Sequence, residues 1–327
     1  MSPSAERAPN LAKVNAAIRR RAEEWGHPHD RVRRRLVFER LLDRLARLED
    51  APVWGLAGGL SMLVTLGSRA GRPTRDMDLA VAGTMDVTGD AVRDLLSRAC
   101  ALDLGDGFQL AVSDVVLASR MDDIGSRGFG VRMVSQFRGL RFETVELDVA
   151  VHEAVGETVT RHVDGVLPWV DAFDVPTIRP EVTFAEKLHA TTRRYGENRD
   201  RLSTRPRDLP DMVALIREDA LDRERTGEVI AETFRRRGTH DLPAELVLPP
   251  GFETAFTRYG EGYGLEAMTA DEGIAVLTQF LDEIGVLKPP ATSAVTCPSK
   301  KEVNCGRNYE PLMPTLTRSY WPKAPLM

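Results

Sequence analysis

The chain has 327 residues, of which 42% are hydrophobic and 28% are charged, and its formal net charge is −5 at pH 7. This composition excludes a disordered chain, and the length favours more than one folded region. No apolar run approaches the ~20 residues of a membrane-spanning helix. Cysteines occur only at positions 100, 297 and 305, without a Cys-x-x-Cys pair. Few cysteines and no visible secretory signal lead us to expect a cytoplasmic protein without a disulfide framework or membrane partner.

Lysine is rare in this chain, whereas arginine is abundant. Among six lysines, Lys187 is the only one between Val14 and Leu287. An ammonium group is a compact charge with rotatable donors, which suits a phosphate, so Lys187 is a candidate functional residue. Arginines are also clustered, with ten against five acids over residues 19–47 and six against two acids over residues 193–207. Such segments favour contact with a phosphate backbone.

Helical and strand-like patterns alternate in the first half of the chain. The spacing of apolar residues predicts helices over 10–24, 30–50, 60–66 and 87–100, the last with Thr88 as its N-cap. Strands are predicted over 77–81, 108–118, 129–136 and 140–151. After Pro180 the pattern predicts helices alone, over 182–195, 208–218, 224–237 and 270–285. Residues 289–327 show no periodicity, and we expect them to be a disordered tail.

The strongest local signal is a glycine pair followed by paired aspartates. Gly58-Gly59 precedes a short helix, and Asp76 and Asp78 stand at the start of a predicted strand. Residues i and i+2 of a strand share one face, where both carboxylates can bind divalent cations of the kind that phosphoryl transfer uses. The glycines let the backbone approach a triphosphate, whose charge is favoured at a helix start.

A third carboxylate is expected on a neighbouring strand. The segment 140–151 alternates, and it places Asp148 and Glu146 together on its less apolar face. Asp148 is the preferred candidate and Glu146 the alternative, while a solvent-facing edge strand would explain both acids equally well.

Two further motifs lie in the helical half of the chain. Lys187-Leu188-His189-Ala190 falls on a predicted helix, and Arg205-Pro206-Arg207-Asp208-Leu209-Pro210-Asp211 opens the next one. Pro210 is tolerable there because it stands in the first turn of a helix. The arginine-rich segment 193–207 separates the two motifs.

In this order and spacing, the motifs resemble those of the AbiEii-type nucleotidyltransferase toxins, within the DNA polymerase β-like superfamily. The matching residues are Gly58-Gly59, Thr74-Arg75-Asp76-Met77-Asp78, Lys187-Leu188-His189-Ala190 and Arg205 to Asp211. The chain departs from the family pattern at Arg207, where the family usually has lysine. The resemblance covers residues 30–285 and implies an α+β fold. Its expected parts are N-terminal helices (1–50), a mixed nucleotidyltransferase core (51–180) and a helical C-terminal domain (181–288).

The resemblance also implies a function and a set of site residues. The protein would be a bacterial toxin that transfers a nucleoside monophosphate from an NTP to an acceptor, which in relatives can be the 3′ end of tRNA. Asp76, Asp78 and Asp148 would hold Mg²⁺, Lys187 would neutralise the triphosphate, and Asp208 would act at the acceptor or orient Lys187. Nucleotide binding would involve Gly58, Gly59, Thr74, Arg75 and Asp211. A cognate antitoxin is the expected protein partner.

Two other functions remain open on the sequence alone. A transferase that adenylylates a small molecule, such as an aminoglycoside-modifying enzyme, would need the same carboxylates but no basic groove for an acceptor. A non-catalytic nucleotide- or RNA-binding protein of the same fold would not need clustered acids, which repel one another. The arginine-rich segments favour a nucleic-acid acceptor over a small molecule, and the carboxylate pair with Lys187 argues against the non-catalytic protein.

Overall fold

A computed structural model of the chain describes residues 9–67, 74, 76–83, 87–117, 127–152, 155, 157–195, 201–203, 205–242, 246 and 251–287, with the backbone alone at Arg127 and His152. These residues belong to one compact unit that spans Met1–Pro290. Arg75 and the expected tail at 289–327 lie outside them. Within the described ranges, no helix is long and apolar enough to cross a membrane.

Seven strands form a mixed sheet. They are β1 (Trp54–Ala57), β2 (Met77–Ala82), β3 (Phe108–Leu117), β4 (Arg127–Phe137), β5 (Leu140–His152), β6 (Thr158–Val163) and β7 (Phe173–Ile178). Their order across the sheet is β3-β4-β5-β2-β1-β7-β6. The pairs β2–β5 and β1–β7 are parallel, and the other four are antiparallel. The mixed sheet confirms the predicted α+β class.

Helices pack on the sheet and continue beyond it. They are α1 (Leu11–Trp25), α2 (His29–Ala46), α3 (Gly58–Leu66), α4 (Gly89–Ala101), α5 (Pro180–Thr192), α6 (Asp208–Arg217), α7 (Arg223–Arg237), α8 (Phe252–Gly260) and α9 (Ala270–Glu283), with a 3-10 turn at Glu261–Tyr263. The Thr88 side chain accepts a hydrogen bond from the Ala91 amide at 3.2 Å, which confirms the predicted N-cap of α4.

Several elements differ from the sequence prediction. The strands β1, β6 and β7 and the helix α8 were not predicted from the sequence. β1 has only four residues, and Pro176 inside β7 argues against a strand at that position. The predicted helix over 30–50 ends at Ala46, since the amides of Arg47 and Leu48 bond three residues back, as in a 3-10 turn.

Buried apolar residues form two clusters. The first joins α1, α2 and α4 to the sheet, and the second joins α5 to α9. Helix α3 contributes to both, because Leu60 and Leu63 belong to the first cluster and Met62 belongs to the second. The start of α3 is therefore held by packing on two sides.

Candidate active site

The paired aspartates stand at the start of β2, beside β5. Asp76 directly precedes the strand and Asp78 is its second residue. In the parallel β2–β5 pair, Asp78 is the register partner of Asp148. Neighbouring strands lie about 4.8 Å apart, and residues in register point to the same face of the sheet. The structure therefore places the third predicted carboxylate beside the second.

Glu146, the alternative to Asp148, is exposed as Asp148 is, but it has a different partner. Its side chain, 63% exposed, pairs with Arg132 on β4 at 3.2 Å. Glu146 lies one residue outside the paired part of β2 and β5, which begins with Met77 opposite Leu147. Asp148 is thus the acid of β5 that pairs in register with Asp78 of β2.

Electrostatics link the same acids. The pKa of Asp148 is raised above its usual value, first by burial and then by the negative charges of Asp76 and Glu146. Like charges held this close favour the neutral form of a carboxyl group until a cation compensates them. The start of β2, beside β5, is therefore a region of concentrated negative charge.

The fit of this region to a metal ion depends on its donor chemistry. Among the described side chains, no group of three or more carboxylates, histidines or cysteines is arranged closely enough to hold a metal. Carboxylate oxygens from Asp76, Asp78 and Asp148 are nevertheless the ligands that hard divalent cations prefer. A bound cation would also relieve the repulsion that raises the pKa of Asp148. The chemistry of these donors, rather than their present spacing, fits a divalent cation.

The start of α3 approaches the aspartates closely. Gly58 has φ +62°, and a Cβ atom built there would lie 1.8 Å from Asp78 Oδ2. A side chain at this position would therefore displace the carboxylate as well as strain the backbone. Gly59 follows as a buried residue of α3. The amides of a helix N-terminus favour an anion nearby, which fits the role predicted for the glycine pair.

Thr74 stabilises the turn that leads into β2. Its hydroxyl donates a hydrogen bond to the carbonyl oxygen of Asp76 at 2.8 Å. In the described structure this hydroxyl positions the first aspartate of the pair. Its predicted contact with a phosphate stays a prediction, as does the role of Arg75, which lies outside the described residues.

Lys187 lies in a buried ionic cluster between helices α5 and α6. Its ammonium group donates to Asp208 Oδ1 at 3.1 Å and to Asp211 Oδ2 at 2.7 Å, both on the first turn of α6. The Tyr263 hydroxyl donates to the other oxygen of Asp211 at 2.7 Å. The Arg205 guanidinium donates to the other oxygen of Asp208 at 2.8 Å. Two cations and two carboxylates therefore balance within the cluster.

This environment gives Lys187 a part in the stability of the fold. A lysine that only faces a phosphate contributes little to the empty fold, but Lys187 is 6% exposed and both aspartates are 0% exposed. Removing its charge would leave two buried carboxylates without their shared cation, which is strongly destabilising. Lys187 therefore stabilises the fold in addition to any role in substrate binding.

Tyr263 is a member of this cluster that the sequence motifs did not reveal. It stands 52 residues after Asp211, in the 3-10 turn after the unpredicted helix α8. A single tyrosine in a weakly patterned segment carries no motif signal. Its buried hydroxyl needs a partner, and only the folded chain shows that this partner is Asp211.

Several arginines of the N-terminal helices form ion pairs within the protein. Arg44 is 0% exposed and donates to both oxygens of Asp106 at 3.1 Å. Arg40 is also buried and pairs with Asp43, while Arg35 donates to Glu39 at 2.9 Å. These three arginines stabilise the first apolar cluster and are not available to a nucleic acid.

The fold and this site define a class of protein. A glycine-opened helix beside paired strand aspartates, on a mixed sheet with helices, is the arrangement of a nucleotidyltransferase. The chain belongs to the AbiEii family of nucleotidyltransferase toxins of type IV toxin–antitoxin systems, whose family model matches residues 40–296. An NTP substrate and an antitoxin partner follow from membership of this family.

One of the solved structures that match the chain is that of a toxin. It is MenT4, a nucleotidyltransferase toxin from Mycobacterium tuberculosis H37Rv, at 15% sequence identity and a TM-score of 0.40. The alignment covers 84% of this chain and 99% of that one. No curated protein sequence matches the chain.

Proposed function

We propose that this toxin is a magnesium-dependent enzyme that transfers a nucleoside monophosphate from an NTP to the 3′ end of an RNA, most simply tRNA. The observation that carries the proposal is the register pairing of Asp78 with Asp148, beside Asp76 and the glycine start of α3. This arrangement supports a nucleotide triphosphate at the start of α3, with its cation held by the three carboxylates.

The reaction is a displacement at the α-phosphorus. The 3′ hydroxyl oxygen of the acceptor forms a bond to the α-phosphorus, the bond to the β-phosphate oxygen breaks, and pyrophosphate leaves with the electron pair. The hydroxyl proton is released to solvent or to a nearby base. Mg²⁺, when bound, would neutralise phosphate charge and align the attacking and leaving oxygens.

The residues of the chain would divide the binding tasks. Asp76, Asp78 and Asp148 would supply oxygen ligands, and the amides at Gly58 and Gly59 would face the phosphates. Thr74 would keep Asp76 in place through its hydrogen bond to the Asp76 carbonyl. In this way the turn before β2 fixes the geometry of the cation ligands.

Lys187 and its aspartates would form the second part of the site. The ammonium group is held between Asp208 and Asp211, so its direction is fixed before any substrate binds. Asp208 would orient Lys187 toward the triphosphate, which is one of the two roles that the resemblance implied for it. Preorganised charge of this kind does not need to rearrange when negative charge develops in the reaction.

An RNA acceptor is supported by the distribution of the remaining arginines. Arg193, Arg201 and Arg207 lie on the segment between α5 and α6, and the last two are exposed. Arg193 stacks on the Tyr195 ring at 4.7 Å. Exposed arginines with an aromatic ring among them suit a single-stranded RNA end, which binds through its phosphates and by stacking.

The proposal is tested by labelling. The purified protein is incubated with each α-³²P-labelled NTP, total tRNA and MgCl₂, with parallel samples containing EDTA or the Asp78→Asn protein. We expect label in RNA, and equimolar pyrophosphate, in the magnesium sample alone. Label in a small molecule would favour the small-molecule transferase, and nucleotide binding without any transfer would favour the non-catalytic protein.

Growth supplies the second test. Expression of the chain without its antitoxin should arrest cells, and the Asp76→Ala form should be harmless at equal abundance. Arrest that persists with Asp76→Ala would show that the toxicity does not depend on this site.

A further inference from the structure

One row of residues crosses the sheet through the proposed cation ligands. Asp148 of β5 is the register partner of Asp78 of β2 on one side and of Gly130 of β4 on the other. Gly130 in turn is the partner of Val116 on β3, the outermost strand. Register partners point to the same face of a sheet, and neighbouring strands lie about 4.8 Å apart. The row therefore continues the proposed site from Asp148 toward the edge of the sheet.

Gly130 leaves space open beside Asp148. Its φ lies outside the left-handed region, so the backbone conformation does not require a glycine. Glycine inside a strand lowers stability, and it often marks a place where a ligand approaches the backbone closely. Among the described residues, the one atom within 4 Å of a Cβ built at Gly130 is Cγ2 of Val116, at 3.4 Å. The space above Gly130 is thus bounded by Asp148 and by Val116.

Val116 gives this space an apolar wall, since the residue is 53% exposed. The preceding residue points the other way, because Val115 Cγ1 lies 3.5 Å from the Cβ position of Gly89, at the start of α4. Helix α4 therefore covers the opposite face of β3. A single exposed valine needs no explanation by itself, but this one ends a row that contains two proposed cation ligands.

The geometry of the reaction decides which substrate meets this space. In an in-line displacement the attacking and leaving oxygens lie on opposite sides of the α-phosphorus. The start of α3, where the phosphates of the NTP are proposed to bind, follows Ala57 of β1, the register partner of Asp78. Pyrophosphate would therefore leave on the β1 side of the aspartates. The acceptor would approach from the opposite side, where Gly130 lies.

The charges on this face indicate which part of the acceptor fits. One row further along, Arg132 of β4 is flanked in register by Asp114 of β3 and Glu146 of β5. Together with Asp148 this makes three acids against one arginine, which disfavours a phosphate group. A nucleobase is uncharged and flat, so it can lie on the glycine backbone and contact the methyl groups of the valine.

From this geometry we propose that Gly130 and Val116 are specificity-determining residues that seat the terminal base of the RNA acceptor beside Asp148. The inference rests on the proposed nucleotidyl transfer and deepens it, because it assigns the acceptor to the β4 side of the aspartates. A side chain at residue 130 would occupy the seat, whereas glycine keeps it open.

Filling the seat tests the proposal in the full-length chain. Affinities for total tRNA and, separately, for inorganic triphosphate with MgCl₂ are measured for wild type, Gly130→Val and Ala111→Val. Ala111 is the matched control, because its register partner Val134 lies on the same face of the sheet, further along β4 from Gly130.

The two ligands should respond differently to the added side chain. We expect Gly130→Val to weaken tRNA binding about tenfold, which is within the usual effect of losing the stacking of one base. Triphosphate affinity should not change, and the melting temperature should equal or exceed that of wild type, because valine suits a strand better than glycine. Ala111→Val should bind both ligands as wild type does.

A second pair of substitutions removes the apolar wall instead. Val116 and Leu117 are adjacent, are both exposed and point to opposite faces of β3. Val116→Ser should weaken tRNA binding about threefold or more, whereas Leu117→Ser should bind as wild type does.

The outcomes separate this inference from the proposed function. Wild-type tRNA affinity of Gly130→Val would overturn the inference, and weakened triphosphate binding in that variant would overturn it by assigning the space to the NTP. If Gly130→Val does not fold, equal tRNA affinities of Val116→Ser and Leu117→Ser would overturn it. Wild type that binds tRNA but transfers nothing would contradict the proposed function and leave this comparison intact.

Discussion

Asp148 of β5 is the register partner of Asp78 of β2, on a neighbouring parallel strand. The two carboxylates come from segments 70 residues apart in the chain and are brought together by the order of the sheet. Glu146, two residues before Asp148 on the same strand, pairs with Arg132 at the surface. The structure therefore distinguishes two acids that the sequence treats alike.

Replacing Asp148 should greatly reduce the transfer rate, whereas replacing Glu146 should change it little. Asp148→Asn removes a proposed cation ligand, so the transfer rate should fall by about 10³-fold. Without metal, its melting temperature should equal or exceed that of wild type, because repulsion with Asp76 is relieved. Glu146→Gln removes an exposed ion pair and one of the negative charges that raise the pKa of Asp148, but no proposed cation ligand, and it should retain the rate within about threefold. Steady-state kinetics and thermal melts check both, and equal losses in the two variants would contradict the assignment.

The close approach of α3 to Asp78 predicts the effect of a single methyl group. Gly58→Ala would place Cβ against Asp78 Oδ2, so activity should fall by about 10²-fold or more. Gly105 is a matched control, since its φ of +67° is similar and no atom lies within 4 Å of its Cβ position. Gly105→Ala should lose about 1 kcal/mol of stability from the left-handed backbone but retain its kcat. Comparable kcat values for the two variants would show that Gly58 does not position Asp78.

The buried cluster predicts that Lys187 affects stability as well as activity. Lys187→Met leaves Asp208 and Asp211 without their shared cation, and should lower the free energy of unfolding by about 3–5 kcal/mol. Adding Asp211→Asn should restore at least about 1 kcal/mol, because the uncompensated charge is removed while Tyr263 keeps an acceptor. Urea unfolding of wild type, single and double variants measures both effects. A Lys187→Met protein as stable as wild type would show that the ion pairs contribute nothing.

A buried histidine predicts a pH dependence of stability. Burial, and then the charges of His240, Arg237 and Arg236, lower the pKa of His189 from 6.5 to about 4, and its Nε2 lies 2.8 Å from Thr239 Oγ1. Between these pH values the unfolded chain binds a proton that the folded chain does not. The free energy of unfolding should therefore fall as the pH drops through this window, by up to about 3 kcal/mol from this residue.

His189→Gln isolates that contribution, because glutamine keeps a donor near the position of Nε2 but does not titrate. Urea unfolding at several values between pH 5 and pH 7.5 should show a steeper pH dependence for wild type than for the variant. Parallel curves for the two proteins would mean that His189 is protonated equally in the folded and unfolded chains.

The sequence predicted the motif residues better than the elements between them. Alternation along β5 was enough to place Asp148 on the less apolar face, since side-chain direction in a strand has a period of two. It could not show that β5 pairs with β2, because register depends on the whole sheet. β1, which lies between β2 and β7, is only four residues long and carries too little pattern to be predicted.

The burial of charged side chains was harder to predict than the burial of apolar ones. The N-terminal arginines suggested a surface for nucleic acid, yet Arg44 is 0% exposed and donates to Asp106 and to the carbonyl oxygens of Arg40, Leu102 and Phe108. A sequence shows that an arginine is charged but not whether five acceptors will surround it. Tyr263 was missed for a similar reason, because its partner Asp211 is remote in sequence.

Helix α3 connects the backbone beside Asp78 to both apolar clusters. Its nine residues begin at Gly58, against Asp78, and they anchor Leu60 and Leu63 in one apolar cluster and Met62 in the other. A cut near residue 180 would leave the first cluster whole but would separate Met62 from the rest of the second cluster. The C-terminal helices therefore pack against the same short helix that begins beside Asp78, so a change in their packing at Met62 should be felt at Gly58.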